Sequence, residues 1–257
     1  PFWPQHAAIL REGRADLQKL PSHFPISCGV SAYNARELAD CGFRKPGILP
    51  LPIDPARWDV AADPKLMAEL QDGRTNLLFV GRIAPNKKQH ELVVAFREYL
   101  RVDESARLIL IGKAEEADPY ALHVQNKVSE LGLEHAVLMP GSISEAQLAA
   151  YWRTATLFWS MSEHEGFCAP LIEAMWFDVP VLAFRSSAVP ETLGEAGLMF
   201  TEKDDQVEVA AMVRLLVTDH ALREKVIRAQ RKRRVDFLPA QVAPRLENLV
   251  QQFVSAA

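Results

Sequence analysis

Cysteine is scarce: Cys28, Cys41 and Cys168 are the only three among 257 residues. An odd number with no C-x-x-C spacing excludes a disulfide framework and a cysteine zinc site, and places the protein in a reducing, cytoplasmic compartment. Long apolar runs are missing as well. The longest, such as Leu108–Gly112, are strand-sized, far short of the roughly 18 residues that cross a bilayer. Neither sign of charge dominates: 29 basic and 33 acidic residues leave −4, whereas electrostatic capture of nucleic acid shows as a strong basic excess. Nucleic acid is therefore not expected as a partner. Pro1-Phe2-Trp3-Pro4 has neither a Met nor the charged-then-apolar layout of a signal peptide, so the chain is expected to be a piece of a longer one. There is no G-x-G-x-x-G after a strand and no G-x4-G-K-[ST], which removes the dinucleotide dehydrogenases and the P-loop enzymes. No His, Cys, Asp and Glu cluster has ligand spacing, so no metal and no other cofactor is expected.

What is there is a globular composition, 49% hydrophobic and 8% aromatic, arranged as short apolar runs alternating with amphipathic segments. The runs Ile26–Val30, Gly47–Leu51, Asn76–Val80, Arg107–Ile111, Ala136–Met139, Thr156–Ser160, Val179–Ala183 and Gly197–Phe200 predict strands. Most lack alternation, the mark of parallel strands covered on both faces. Helical patterns fill the gaps, among them Lys88–Leu100, Pro119–Leu131, Pro170–Phe177 and His220–Phe237. The expected fold is α/β, a doubly wound, Rossmann-like parallel sheet with helices on both faces. Pro50, Pro52 and Pro55 break the rhythm and read as a linker. Residues 1–51 are then the tail of a truncated N-terminal domain with the start of the linker, and 52–237 a whole α/β domain. The segment 238–257 holds a last helix, Val242–Phe253, packing back toward the missing part.

In doubly wound sheets ligands sit beyond the carboxyl ends of the strands, and three segments there carry chemistry. In Phe79-Val-Gly-Arg-Ile-Ala-Pro-Asn-Lys-Lys88 a strand runs into Gly81, Arg82 and Lys87. An arginine fork and a lysine at the mouth of a sheet suit a diphosphate leaving group; a surface turn accounts for the same residues. In Ser160-Met-Ser-Glu-His-Glu-Gly-Phe-Cys-Ala-Pro-Leu-Ile-Glu-Ala-Met175 a polar loop enters a helix with Pro170 in its first turn. The N–H groups of Phe167 to Ile172 and the helix dipole make an anion site, flanked by Glu165 and Glu173, whose carboxylates accept from hydroxyls. A ligand bearing phosphate and sugar hydroxyls fits that pairing; helix-start charge complementation is the plainer account of Glu173. The third segment, Met139-Pro-Gly-Ser-Ile-Ser144, places Gly141 and Ser142 at a tight turn that suits a nucleobase or is an ordinary β-to-α turn.

The chain resembles the C-terminal, donor-binding half of a GT-B type retaining glycosyltransferase of family 4, group 1. The resemblance rests on the E-x7-E pattern Glu165–Glu173, on Val179-Pro-Val, Val189-Pro-Glu-Thr and Glu195-Ala-Gly after it, and on Val80-Gly-Arg-Ile-Ala-Pro-Asn-Lys before it, and it covers Ser27–Phe237. It implies a nucleotide-sugar donor, a GDP- or UDP-hexose, and a glycan or lipid-linked acceptor in bacterial envelope polysaccharide synthesis. Arg82 and Lys87 would clamp the diphosphate and Glu165 would contact the sugar, with His164, Gly166, Phe167 and Cys168 around it. The amides near Leu171 would approach phosphate, and Glu173 would hold the ribose. Family members usually work without a metal. The acceptor site belongs to the missing N-terminal domain, so this chain alone should bind donor without turnover. Cys168 and Lys88 stand where the family often has glycine or another small residue, and Cys168 has no His and acid partner to make it a nucleophile.

The run Arg223–Arg234, with seven basic residues and one acid, is either a solvated face or a peripheral contact with anionic lipid at the inner face of the membrane. Two other readings stay open: a sugar epimerase or phosphorylase of the same architecture, and a non-catalytic nucleotide-sugar-binding module.

Overall fold

A computed structural model describes residues 4–113 and 118–256; Pro1–Trp3, which enter the reading of a cut chain, lie outside the described residues. Along the chain run helix α1 (Pro4–Leu17), strand β1 (Cys28–Gly29), α2 (Ala32–Asp40), β2 (Gly47–Ile48), α3 (Pro64–Leu70), β3 (Asn76–Val80), α4 (Gln89–Tyr99), β4 (Arg107–Ile111) and α5 (Pro119–Glu130). They are followed by β5 (Val137–Gly141), α6 (Glu145–Thr154), β6 (Leu157–Ser160), α7 (Ala169–Trp176), β7 (Val181–Phe184), α8 (Val189–Leu193), β8 (Leu198–Phe200), α9 (Gln206–Thr218), α10 (His220–Arg233) and α11 (Pro239–Ala256).

These elements fall into two compact units, Pro1–Asp54 with Val235–Ala257, and Pro55–Arg234. In the first, β1 and β2 pair in parallel, and α2 starts from Ser31, whose Oγ accepts the Asn34 N–H at 3.1 Å. The Ile53 N–H donates to the Phe237 carbonyl at 2.8 Å, which ties 235–237 to this unit and sets the boundaries three residues inside 52 and 237. The last helix begins at Pro239, earlier than Val242, because proline in a first turn sacrifices no hydrogen bond.

The second unit is a six-stranded parallel sheet in the order β5-β4-β3-β6-β7-β8. Its interior strands are mostly apolar because both faces are covered, with the buried polar residues Asn76, Arg107 and Ser160 at their ends. On one side α4 packs against α5 and α9, while α3 and α6 pack together and α10 touches both α7 and α9. Leu77, Leu78, Leu108, Leu110 and Leu157 are wholly buried, with Trp152, Trp159, Phe96 and Tyr99, each such side chain stabilising the sheet by about 1.5–3 kcal/mol. From β3 the chain winds outward through β4 to β5, then returns to β6 on the other side of β3. The connections after β3 and β6 therefore lead to opposite sides of the sheet, which makes the carboxyl ends of these two strands the topological switch point.

The basic run lies on α10, and four of its seven cations are spent on the protein. Arg223 donates to the Thr156 carbonyl. Arg233 donates to the Glu191 and Thr192 carbonyls at the end of α8. Arg234 donates to the Met175 and Trp176 carbonyls at the end of α7 and lies 4.3 Å from the Trp176 ring centre. Arg231 grips Asp178 with two hydrogen bonds. Only Lys225, Arg228 and Lys232 are left, and Arg228 pairs with Glu224. Two of the seven, Arg233 and Arg234, cap the ends of α8 and α7, and with four cations engaged the run is a poorer lipid patch than its composition suggests. Among the described residues no helix is long and apolar enough to cross a membrane.

Candidate functional site at the switch point

Both loops at the switch point are built on backbone contacts. After β3, the Gly81 N–H donates to the Ile111 carbonyl at 2.9 Å, and the Gly81 carbonyl lies so close to Gly112 that a Cβ there would stand 1.9 Å from its oxygen. Only glycine fits at 112. The buried Gln89 donates from Nε2 to the Arg82 carbonyl at 2.9 Å, and a 3-10 turn at Pro85–Lys87 leads through Lys88, at φ +56°, into α4. Arg82 itself is exposed and makes no ion pair among the described residues.

After β6, the loop is clasped to this turn. The Glu163 N–H donates to the Asn86 carbonyl at 2.8 Å, and Asn86 Nδ2 donates to the His164 carbonyl at 3.0 Å. Beside them Lys87 Nζ and Glu165 Oε1 meet at 2.6 Å, with both side chains mostly buried. The loop after β7 supports the same segment: Ser187 Oγ accepts the Glu165 N–H at 2.7 Å, Ser186 donates to the Ser162 carbonyl, and the Ala188 N–H donates to the Glu165 carbonyl. Buried Thr192 donates to the Phe167 carbonyl at 2.6 Å. Two of the expected residues, Lys87 and Glu165, are thereby in direct contact between these loops.

Glu173 lies on α7 and is 7% exposed; its Oε2 meets no hydrogen-bond partner among the described residues, with the Trp152 indole beside the carboxyl. Burial pushes its carboxyl up, opposed in part by the positive charge of Arg57 and by Trp152. An unsatisfied buried carboxylate is costly in a folded protein, and it marks a place where a donor group from outside would be welcome.

Cys168 caps α7 at φ +64°, and Lys88 is likewise left-handed. These are the two positions where glycine or a small residue was expected, and the reason is this backbone conformation. Burial and the negative charge of Glu165 push the Cys168 thiol well above its usual range, so it stays protonated. At the start of α7 the Gly166 and Ala169 N–H groups meet no acceptor among the described residues. Leu171 is a correction: its N–H already donates to the Cys168 carbonyl at 3.0 Å, and its side chain is fully buried in the core. The left-handed cap tightens the first turn and uses up that donor.

His164 is exposed and anchored by its carbonyl. Gly141 and Ser142 close β5, the sheet edge, with β4 and β3 between them and β6; they do not join the Lys87–Glu165 cluster. Sequence reasoning missed Gln89, Ser187 and Arg57, which carry no motif, gave no role to Asn86 and Thr192 although they stand within the quoted motifs, and left Gly112 unassigned. A glycine directly after a central strand was the one available signal. Among the described residues no three His, Cys, Asp or Glu side chains gather as metal ligands.

Comparison with known proteins bears on the family and the fold. The family model described as glycosyl transferases group 1 matches residues 67–233. The chain is 32% identical over 127 residues, 48% of its length and 30% of the relative's, to an MMP alpha-(1->4)-mannosyltransferase of Mycolicibacterium hassiacum. It is also 32% identical, over 54% of its length and 36% of the relative's, to a GDP-mannose:cellobiosyl-diphosphopolyprenol alpha-mannosyltransferase of Xanthomonas oryzae. It thus spans about a third of the length of these two relatives. In fold it is similar to the Anabaena protein HepE, solved in complex with UDP and glucose, with TM-score 0.79, 16% identity, and coverage of 93% of this chain and 67% of that one. The chain belongs to the group 1 glycosyl transferases.

Proposed function

We propose that this chain supplies the nucleotide-sugar site of a retaining hexosyltransferase. The enzyme moves a hexose from a GDP- or UDP-sugar to a glycan or lipid-linked acceptor in bacterial envelope polysaccharide synthesis. The observation that carries this is the Oε2 of buried Glu173, without a hydrogen-bond partner among the described residues, on the helix whose N-terminus adjoins the Lys87–Glu165 pair. Ribose hydroxyls would satisfy the Glu173 carboxylate. The donor diphosphate would lie against Arg82, Lys87 and the Gly166 and Ala169 amides, positive groups placed where charge develops as the leaving group departs. Once phosphate draws Lys87, Glu165 is left to accept from a sugar hydroxyl. This reading assigns the leaving-group charge to those groups without a metal. The acceptor and the rest of the reacting centre come from sequence beyond this chain, which spans about a third of the two relatives' lengths. The compartment assigned is the cytoplasm, at the inner face of the membrane, where nucleotide sugars meet lipid-linked acceptors.

The test is thermal unfolding of the chain with GDP, UDP, ADP and their hexose conjugates. A ligand at about 100 times its Kd adds roughly 2.7 kcal/mol, which raises Tm by several degrees. One base should shift the melt, and Glu173→Ala should abolish the shift. A melt indifferent to every nucleotide at millimolar concentration, or an undiminished shift in Glu173→Ala, would overturn the site.

A further inference from the structure

Next to the Lys87–Glu165 pair four charged side chains form a closed ring. Glu91, in the first turn of α4, gives Oε1 to Lys88 Nζ at 3.3 Å and Oε2 to Lys203 Nζ at 2.8 Å. Glu163, after β6, gives Oε1 to Lys203 at 3.0 Å and Oε2 to Lys88 at 3.1 Å. Every carboxylate oxygen has its own lysine and each lysine bridges both carboxylates. Lys203, after β8, is held further by the Phe184 ring, whose centre is 4.3 Å from Nζ, and its side chain is 14% exposed. His90 Nε2 approaches Glu91 at 3.9 Å, but burial pushes that imidazole down to about 4, so the two lysines alone balance the ring at neutral pH. The ring tethers three loops that chain order keeps apart, those after β3, β6 and β8.

Its geometry continues that of the donor site. The consecutive residues Asn86, Lys87 and Lys88 engage the consecutive residues Glu163, His164 and Glu165: Asn86 through backbone and amide, Lys87 through Glu165, Lys88 through Glu163. Lys88 takes part from a left-handed backbone, a conformation that L-residues adopt at a cost. Removing Lys203 leaves Glu91 and Glu163 each with one partner and frees the turn to relax. A shift of an ångström at such a clamp costs much in binding or rate.

We propose that Lys203 is a positioning residue for the donor site, acting through Glu163, Glu91 and Lys88 to hold the turn that presents Lys87. This rests on the nucleotide-sugar reading, and the experiment separates the two. Lys203→Met, Lys203→Arg and Glu163→Gln would be made in the full chain. Amide hydrogen exchange across Asn86–Glu91 and Met161–Phe167 would be compared with the affinity for UDP and GDP by calorimetry. Lys203→Met should speed exchange at the Glu163 N–H, whose acceptor is Asn86, and weaken the binding nucleotide by about tenfold, within the range of measured couplings between contacting groups. Lys203→Arg should restore most of both, and Glu163→Gln should repeat the loss. Unchanged exchange at Glu163 in Lys203→Met overturns the positioning role, as does a loss of affinity without it. If the unaltered chain binds neither nucleotide, the donor-site reading falls, while the exchange data still decide whether the ring holds the turn.

Discussion

In the donor role proposed for it, Glu173 sets function against stability within one side chain. Its folded carboxyl is raised by burial, so the folded state holds that proton more tightly than the unfolded chain. The contribution to stability is complete below the unfolded value near 4.3 and is lost as pH rises through the folded one. Glu173→Gln should therefore stabilise the ligand-free protein at pH 7.5 by about 1 kcal/mol, the usual scale for relieving a functional residue. At pH 4 that advantage should disappear. Melts of both proteins at the two pH values check this, and equal differences at both would refute it. Cys168 yields a second expectation. At pH 8 iodoacetamide should modify exposed Cys28 and spare buried Cys168, whose thiol is pushed up. At this left-handed position Cys168→Gly should also be more stable than Cys168→Ala by about 1–2 kcal/mol, the reverse of the helix-propensity order. Much of the candidate site was legible at this scale: Lys87, Glu165 and Glu173 stood out because a ligand with phosphate and hydroxyls at the carboxyl ends of parallel strands calls for a cation and carboxylates there. Leu171 was not, since whether an N-terminal amide is free depends on the cap's backbone angle. Asn86 and Ser187 act through loop geometry that no residue pattern encodes.

Helix α10 shows what a charge run can do inside a fold. Its arginines close the ends of α7 and α8, the helices that carry Glu173 and Thr192. Arg234→Ala would release the Met175 and Trp176 carbonyls and the Trp176 ring, and should cost about 1–2 kcal/mol, the net worth of charged hydrogen bonds reduced for partial exposure. Arg234→Lys should recover little, because an ammonium lacks the planar fork that lies on the ring. Denaturant unfolding measures both, and a variant as stable as the original would return the run to a solvated face. Gly112→Ala is the counterpart beneath the opposite loop. Its Cβ cannot clear the Gly81 carbonyl, so a loss of about 1–3 kcal/mol, the cost of overpacking, is expected in the same assay. The β3 and β4 strands were readable to the residue because four consecutive apolar residues follow Asn76 and Arg107, as burial on both faces requires. The ends of β7 and α11 were not, since strand ends are decided by pairing with a neighbour and Pro239 reads equally as a break or a first turn.

The division of the whole chain into Pro1–Asp54 with Val235–Ala257, and Pro55–Arg234, bears on what it can do unaided. All the residues assigned to the donor fall within Pro55–Arg234, and none of them supplies a group for an acceptor. Retaining transfer needs the attacking hydroxyl held within about 3–3.5 Å of the sugar carbon, and a donor site alone cannot impose that. The 257-residue chain should accordingly bind its nucleotide sugar and show no transfer to lipid-linked or glycan acceptors above the uncatalysed rate. A longer protein, of the length seen in its relatives, should transfer the sugar with the anomeric configuration kept. Nucleotide affinity by calorimetry and product analysis by NMR, run on both proteins, separate the possibilities. Turnover by the short chain would show that the acceptor site lies within it. An epimerised or hydrolysed sugar, formed without acceptor, would move the chemistry to the epimerase reading. Binding without transfer in both proteins would leave a nucleotide-sugar-binding module, because the machinery that raises affinity for the donor is not by itself the machinery that lowers the barrier.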